Sequence, residues 1–184
     1  MKKTIIFILT CFLVLTLVAC NKNSNPSQII EGDFVFEIRG DDKILQEYLG
    51  DSLEVIIPDG TTEIGKYAFK GKDITSLTIP TSVVKYEHYS YKIPFVGFNM
   101  VKYLGTLEQW FNIDFVDKIV SDTGVLYVDG KEIAGTLIIP EGVPEIKAFT
   151  LNDNGKLKSV IIPASVRKIG FCDGTFDSVE EVHY

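Results

Sequence analysis

The segment Val55–Gly65 reads VIIPDGTTEIG, and related forms of it recur along the chain. Neighbouring copies place their prolines 22 or 23 residues apart. A period in this range is typical of solenoids, in which each repeat packs only on its neighbours. The sequence therefore predicts a β-rich (α+β) solenoid with a long regular surface. The other three forms are LTIPTSVVKY from Leu77, LIIPEGVPEI from Leu137 and VIIPASVRKIG from Val160.

Each copy places apolar side chains on one face of a short strand. Residues three and one before the proline alternate with their neighbours at period two, and positions three and six after it return the chain to the core. FNMVKYL from Phe98 and VEEVHY from Val179 repeat the strand pattern without the proline, which places Tyr184 at an inward position. The sequence thus predicts about six stacked strands in one ladder, roughly 24 Å long.

The spacing between the third and fourth predicted strands is longer and indicates an insertion at about residues 105–134. Within it, residues 125–133 alternate around Asp129 and Gly130. This dipeptide suits a two-residue type I′ turn, because both central positions of that turn have positive φ. The insertion is therefore predicted to contain a β-hairpin.

Two further strand patterns precede the first repeat. Phe34–Ile38 alternates in the manner of a strand, and Ile44–Tyr48 offers a second one. We expect residues 29–52 to form an N-terminal β cap that covers the end of the solenoid. The leucine-rich solenoid itself then occupies residues 53–184.

The N-terminus has the pattern of an export signal. In residues 1–19, two lysines precede an apolar run that is shorter than the roughly 20 residues of a membrane span. The run ends in Leu-Val-Ala-Cys, which resembles a bacterial lipobox with Cys20 as the lipid attachment site. Residues 20–28 are polar and are predicted to form a flexible tether. The alternatives are an ordinary signal peptide or an uncleaved anchor, with Cys20 incidental.

Charge and cysteine content exclude several classes. The formal charge is −7, and removal of residues 1–19 takes away Lys2 and Lys3 and no acid, which leaves −9. Such an acidic domain is unsuited to binding nucleic acid. It would not be attracted to an anionic membrane either, so its attachment to a membrane would rest on the lipid at Cys20. Only Cys172 would remain as a thiol in the mature domain, so no internal disulfide is expected.

The segment Ile56–Phe69, IIPDGTTEIGKYAF, resembles the BspA-like leucine-rich repeats of bacterial surface proteins. The insertion, YLGTLEQW…LYVDGKEI…LIIPEGV, resembles a linker segment that recurs in the same family. The resemblance covers roughly residues 34–184. It implies a cell-surface protein that acts in adhesion or protein binding, and no catalytic residues carry over from the family.

The motifs of catalytic and metal sites are missing from this sequence, which favours a protein that is not an enzyme. The chain contains no nucleophile elbow, P-loop or dinucleotide-binding motif. Neither His88 nor His183 has a Cys or another His close in sequence that would suggest a metal pair. In the register of a calcium loop, the segment around Asn152–Gly155 would place Thr150 and Ile161 where carboxylates are needed. We therefore predict neither a metal site nor a cofactor.

Two candidate binding features remain. Trp110 lies in an apolar part of the insertion, where it either plugs the core or forms an exposed aromatic anchor for a partner. A row of outward strand positions is the other candidate, because three isoleucines are more than alternation requires, although β-branched residues also simply suit strands. That row comprises Ile56, Thr78, Lys102, Ile138, Ile161 and His183.

These patterns predict a lipid-anchored, extracytoplasmic module at the bacterial cell surface that binds a protein or another macromolecule. The alternative is a structural module of the cell envelope without a specific ligand. The last predicted strand, in Val179–Tyr184, has no capping segment behind it in this sequence. An uncovered edge invites pairing, so we expect the chain's own loops, a partner or a second copy to cover it.

Overall fold

The computed structural model describes residues 26–87, 97–116, 118–148, 150–151, 156–170 and 179–184. It begins with the predicted cap, an antiparallel meander of β1 (Ser27–Glu31), β2 (Phe34–Arg39) and β3 (Asp42–Tyr48). Ser27 and Gln28, which were predicted to belong to the polar tether, lie in β1 and pair with Ile38 and Glu37. The signal segment and Cys20 lie outside the described residues.

The first coils of the solenoid alternate between two sheets. The strands that precede the prolines, or the equivalent position, are β4 (Glu54–Ile56), β6 (Ser76–Ile79) and β8 (Phe98–Tyr103), and they pair in parallel. Two shorter strands, β5 (Glu63–Ile64) and β7 (Lys85–Tyr86), run on the other side of the core and extend the sheet of the cap, since β3 pairs with β5. This arrangement confirms the predicted β-solenoid.

The insertion contains the predicted hairpin. After helix α1 (Leu107–Asn112) and β9 (Asp114–Phe115), strand β10 (Val120–Val128) pairs antiparallel with β11 (Lys131–Glu132). Asp129 and Gly130 have φ values of 49° and 70°, as the type I′ turn requires. The prediction of the hairpin is therefore confirmed.

The prediction of one continuous ladder is wrong. Strand β10 also pairs in parallel with β8, and β11 follows it at the edge of the sheet. The later repeats form a separate sheet from β12 (Gly135–Ile138), β14 (Leu157–Ile161) and β16 (Glu181–His183), while β13 (Glu145–Ile146) pairs with β15 (Lys168–Ile169). An antiparallel strand at the edge ends the parallel stack, so the ladder restarts beyond it.

Four sheets result in the described part of the chain. Sheet I has the order β1-β2-β3-β5-β7-β9, and sheet II has the order β11-β10-β8-β6-β4. Sheet III is β12-β14-β16, and sheet IV is β13-β15. Sheets II and III carry the strands that precede the prolines or their equivalents. Sheets I and IV carry the short strands that follow them.

The core follows the predicted inward positions. Val55 and Ile57 are buried on either side of the exposed Ile56, and the same alternation recurs in the later copies. The exceptions are Val182 and Tyr184 in the last copy, which were predicted to face inward and are 37% and 92% exposed. The buried side chains form two clusters, one under sheets I and II and one under sheets III and IV.

Helix α1 lies where the two clusters meet. Trp110 belongs to the first cluster and its neighbour Phe111 to the second, while Leu107 packs against both. A capping box begins the helix, with the Thr106 side chain accepting from the Gln109 amide and the Gln109 side chain accepting from the Thr106 amide. Among the described residues this is the one helix, and its six residues are far too few to span a membrane.

Candidate binding face

The outer face is the surface of sheets II and III that points away from the core. It exists because each strand buries alternate residues and exposes the ones between them. Ile56 is 69% exposed in β4 and Ile138 is 63% exposed in β12. Large aliphatic side chains are thus held in contact with solvent by the alternation of the strands.

Strand register sorts the predicted row into two groups. On sheet II, Ile56 lies beside Thr78, and Thr78 lies beside Lys102. On sheet III, Ile138 lies beside Ile161, and Ile161 lies beside His183. The structure therefore brings together three of the six residues on each sheet. The β10–β11 hairpin interrupts the row between the two groups.

Tyr127 extends the row on sheet II and was not predicted from the sequence. Strand β10 places Tyr127 beside Lys102, and the ring is partly exposed. The available signal was the alternation of Val125 and Tyr127 with the buried Leu126 and Val128. Along the sequence this pattern predicts only the hairpin, whereas β10 pairs both with β11 and with β8.

The outer face carries few charges. Along its second outward row, register aligns Glu54, Ser76, Met100 and Val125 on sheet II, and Thr136, Ser159 and Glu181 on sheet III. Acids thus stand only at the two ends of this row. In the first row the ionisable side chains are Lys102 and His183, and His183 Nε2 lies 3.2 Å from Glu181 Oε2.

Ion pairs cross sheets I and IV, and on sheet III the Lys158–Glu180 pair lies beside the outward rows and not within them. Lys85 contacts both Glu87 and Glu63, and the hydrogen bond with Glu87 is the main cause that raises the pKa of Lys85. Lys168 lies 2.7 Å from Glu145 on the paired strand of sheet IV. A partner that covered these side chains would have to desolvate charges that already have partners.

Trp110 is not an exposed anchor. Its side chain is 0% exposed and packs against Tyr103 and Phe115, with ring centroids 5.5 and 4.7 Å away. The indole Nε1–H donates a buried 2.7 Å hydrogen bond to the carbonyl oxygen of Thr150. Trp110 therefore plugs the core of the insertion, which was the other interpretation of its position.

Several residues considered for chemistry fall outside the described part of the chain, namely His88, Cys172 and the segment 152–155. Within the part described, no group of three or more His, Cys, Asp or Glu side chains is arranged to hold a metal ion. The outer face instead presents aliphatic, hydroxyl and aromatic side chains that are exposed or partly exposed.

Comparison with protein families agrees with this architecture. The BspA type leucine rich repeat region matches six copies, in residues 50–97 and 131–183, which together are more than half of the chain. The chain belongs to this family of leucine-rich repeat proteins. The matched ranges leave out residues 98–130, where α1 and β10 depart from the regular repeat.

Solved structures of bacterial leucine-rich repeat proteins are similar to this chain. A leucine rich cell surface protein from Faecalibacterium prausnitzii matches with a TM-score of 0.45 and 15% identity, over 86% of this chain and 55% of that one. This chain thus spans about half the length of that protein. A leucine-rich repeat protein of T. pallidum matches with a TM-score of 0.45 and 18% identity, over 85% and 82% of the two chains. A leucine-rich repeat protein from Bacteroides capillosus matches with a TM-score of 0.36 and 19% identity, over 85% of this chain and 97% of that one. No curated protein matches this sequence.

Proposed function

We propose that this chain is a protein-binding or adhesion module that contacts its partner through the outer face. The observation that carries the proposal is the contrast between the two sides of the solenoid. Ile138 and Ile161 lie side by side on sheet III with 63% and 37% of their surface exposed, and the Lys158–Glu180 ion pair of that sheet lies outside the two outward rows. On sheets I and IV, ion pairs instead join neighbouring strands. Membership of the BspA-type repeat family also supports a binding role.

The free-energy cost of desolvation favours the outer face as the surface that contacts a partner. Burying an aliphatic side chain gains roughly 25 cal/mol per Å² of apolar surface removed from water. Covering an ion pair instead requires both charges to lose water, and this penalty offsets much of any gain. The partly exposed Tyr127 beside Lys102 adds an amphipathic ring, a residue type enriched at protein interfaces.

Attachment to the membrane is proposed to occur through a lipid on Cys20, outside the cytoplasmic membrane and at the cell surface. Strand β1 begins at Ser27, so few residues separate the anchor from the fold. An extended chain spans at most roughly 3.5 Å per residue, so a tether of this length keeps the solenoid within about 25 Å of the lipid.

Strand β16, paired with β14 on one side, is the proposed place for a second copy to add a strand.

Site-specific crosslinking on intact cells tests the outer face. A photoreactive residue placed at Ile138 in the full chain should crosslink to a partner, and one placed at Val116 should not. Val116 is the matched control because it is 52% exposed, just beyond β9 of sheet I. The crosslinked protein, once identified, is then titrated against the purified chain.

We expect the double substitution Ile138→Lys and Ile161→Lys to weaken binding of that protein at least tenfold, since two buried aliphatic contacts are lost. Val116→Lys should leave the affinity unchanged. Far-ultraviolet circular dichroism checks that each variant is folded. If Ile138 and Val116 crosslink equally, or binding survives the double substitution, the outer face is not the contact. If neither position crosslinks to anything, a structural envelope module is the better interpretation.

A further inference from the structure

A small cavity opens beside helix α1, away from the outer face. Its volume is about 150 Å³, and it lies between α1 and the loop that follows β6. Its polar lining comes from Thr81, Tyr103, Gln109 and Asn112, and its apolar walls include Val84 and Ile113. Drug-sized ligands occupy cavities of roughly 300–1,000 Å³, so this one accommodates a single ring-sized group.

Tyr103 supplies a hydroxyl at the cavity that a ligand could meet. Its side chain is 2% exposed, yet its hydroxyl forms no hydrogen bond with any residue that the structure describes. The hydroxyl oxygen is not among the buried side-chain atoms that lack a partner, so it is open to the cavity and can donate to and accept from a group that enters there. Burial also raises the pKa of Tyr103, which keeps the phenol protonated and available as a donor at physiological pH.

The local backbone fixes the groups around this hydroxyl. Gln109 Oε1 accepts a 2.9 Å hydrogen bond from the Thr106 amide, which leaves the side-chain NH₂ of Gln109 as a donor. Asn112 lies three residues later and therefore on the same side of the helix. Gly105 lets the ring of Tyr103 pack closely, because a Cβ there would lie 2.6 Å from Tyr103 Cε1.

We propose that this cavity binds one uncharged sugar residue, such as the end of a neutral glycan. None of its lining side chains is charged, so it suits a neutral ligand. Hydroxyl and carboxamide groups both donate and accept, as sugar hydroxyls do. Four polar side chains at separate positions match a polyol better than a single peptide carboxamide, while Val84 and Ile113 offer apolar surface to the C–H groups of the ring.

Titration of the full chain with free monosaccharides tests the proposal. The probes are glucose, galactose, mannose and N-acetylglucosamine. Saturation-transfer NMR detects their binding to the chain, which is kept in a detergent without a sugar headgroup. Binding of at least one probe is expected with a dissociation constant on the order of 1 mM, which the ligand efficiency of so small a molecule allows. Propionamide serves as the probe for a peptide carboxamide.

Tyr103→Phe removes the hydroxyl alone and should weaken sugar binding about five- to tenfold. Its thermal midpoint should be unchanged or higher, because the hydroxyl forms no hydrogen bond within the described fold. Tyr67→Phe is the matched control, since that hydroxyl belongs to a half-exposed ring on a turn and its loss should leave binding intact.

Three outcomes overturn the proposal. The first is that no monosaccharide binds up to about 20 mM, a concentration well above the expected dissociation constant. The second is that wild type and Tyr103→Phe bind sugars equally well. The third is that propionamide binds saturably and no sugar binds. A lower thermal midpoint in Tyr103→Phe would also count against it, because the hydroxyl would then have a structural partner.

Discussion

Trp110 carries a polar group into the apolar interior and finds a partner for it there. Its indole N–H donates to the carbonyl of Thr150, forty positions later in the sequence and in the part of the chain that forms the second core cluster. The same ring packs on Tyr103 and Phe115 of the first cluster. One side chain therefore stabilises both the insertion and its contact with the later repeats.

Replacing Trp110 by Phe should lower the free energy of unfolding by about 2–4 kcal/mol. The change leaves the buried carbonyl of Thr150 without its donor, which costs about 1–3 kcal/mol, and the smaller ring leaves part of the space unfilled. Urea unfolding followed by circular dichroism measures the difference. Tyr67→Phe, an aromatic change on a turn, should stay within about 0.5 kcal/mol of wild type. A loss below that range in Trp110→Phe would show that the hydrogen bond contributes little.

At the scale of elements, period-two alternation predicted the ladder strands because every strand buries one face. The Asp-Gly dipeptide predicted the hairpin for a reason as local, namely positive φ at two successive residues. The second role of β10 was not predicted, since the register shifts between Val120 and Val125 and breaks the repeat spacing. Helix α1 is too short for its periodicity to be recognised, and the capping residues Thr106 and Gln109 were the signal available.

The candidate site shows the same division between local and distant causes. Outward positions on each strand followed from alternation, so Ile56 and Ile138 were identified correctly as exposed. Which outward residues become neighbours depends on pairing across the insertion, and this separated the row into two groups. The burial of Trp110 depends on residues forty positions away, which no local pattern contains.

The turn of the hairpin gives a test at this scale. Gly130→Ala should destabilise the fold by about 1–2 kcal/mol, because an L-residue with a Cβ is strained at a φ of 70°. Nothing lies within 4 Å of the added Cβ, so the cost is conformational and not steric crowding. Asp129→Asn is the control, since asparagine tolerates the left-handed region, and its thermal midpoint should match wild type. Equal midpoints for Gly130→Ala and Asp129→Asn would contradict the type I′ assignment.

The whole molecule is a stack in which each coil contacts only its neighbours, and this makes its stability a sum of local terms. The stack has one irregular joint, where sheet II ends at β11 and sheet III begins at β12. No strand of one sheet pairs with a strand of the other among the described residues. Side chains hold the two parts together instead: those of α1 and the loop after β13, Ile133, which packs against both clusters, and the 2.7 Å ion pair between Lys156 and Glu132 of β11.

The Lys147 side chain makes polar contacts across this joint, and a substitution can remove them with little disturbance of the packing. Its ammonium donates to the carbonyls of Asn112 and Ile113, at 3.1 and 3.5 Å, and lies 3.8 Å from Asp114. These carbonyls lie at the C-terminal end of α1, where backbone acceptors lack helical partners and a cation is favourable. Lys147→Met keeps most of the aliphatic stem and removes the charge and the donors.

In Lys147→Met we expect the amides of β14 to exchange about three- to tenfold faster, while those of β6 and β8 keep their protection. The reason is that a weaker joint lets the later coils open without the earlier ones. Native-state hydrogen exchange measured by mass spectrometry on the full chain separates the two parts. Lys158→Met is the matched control, because it removes an exposed 3.1 Å ion pair with Glu180 from β14 itself and should change little. If β6 and β14 lose protection equally in Lys147→Met, the solenoid opens as one cooperative unit and the joint is as strong as the stacking of regular repeats.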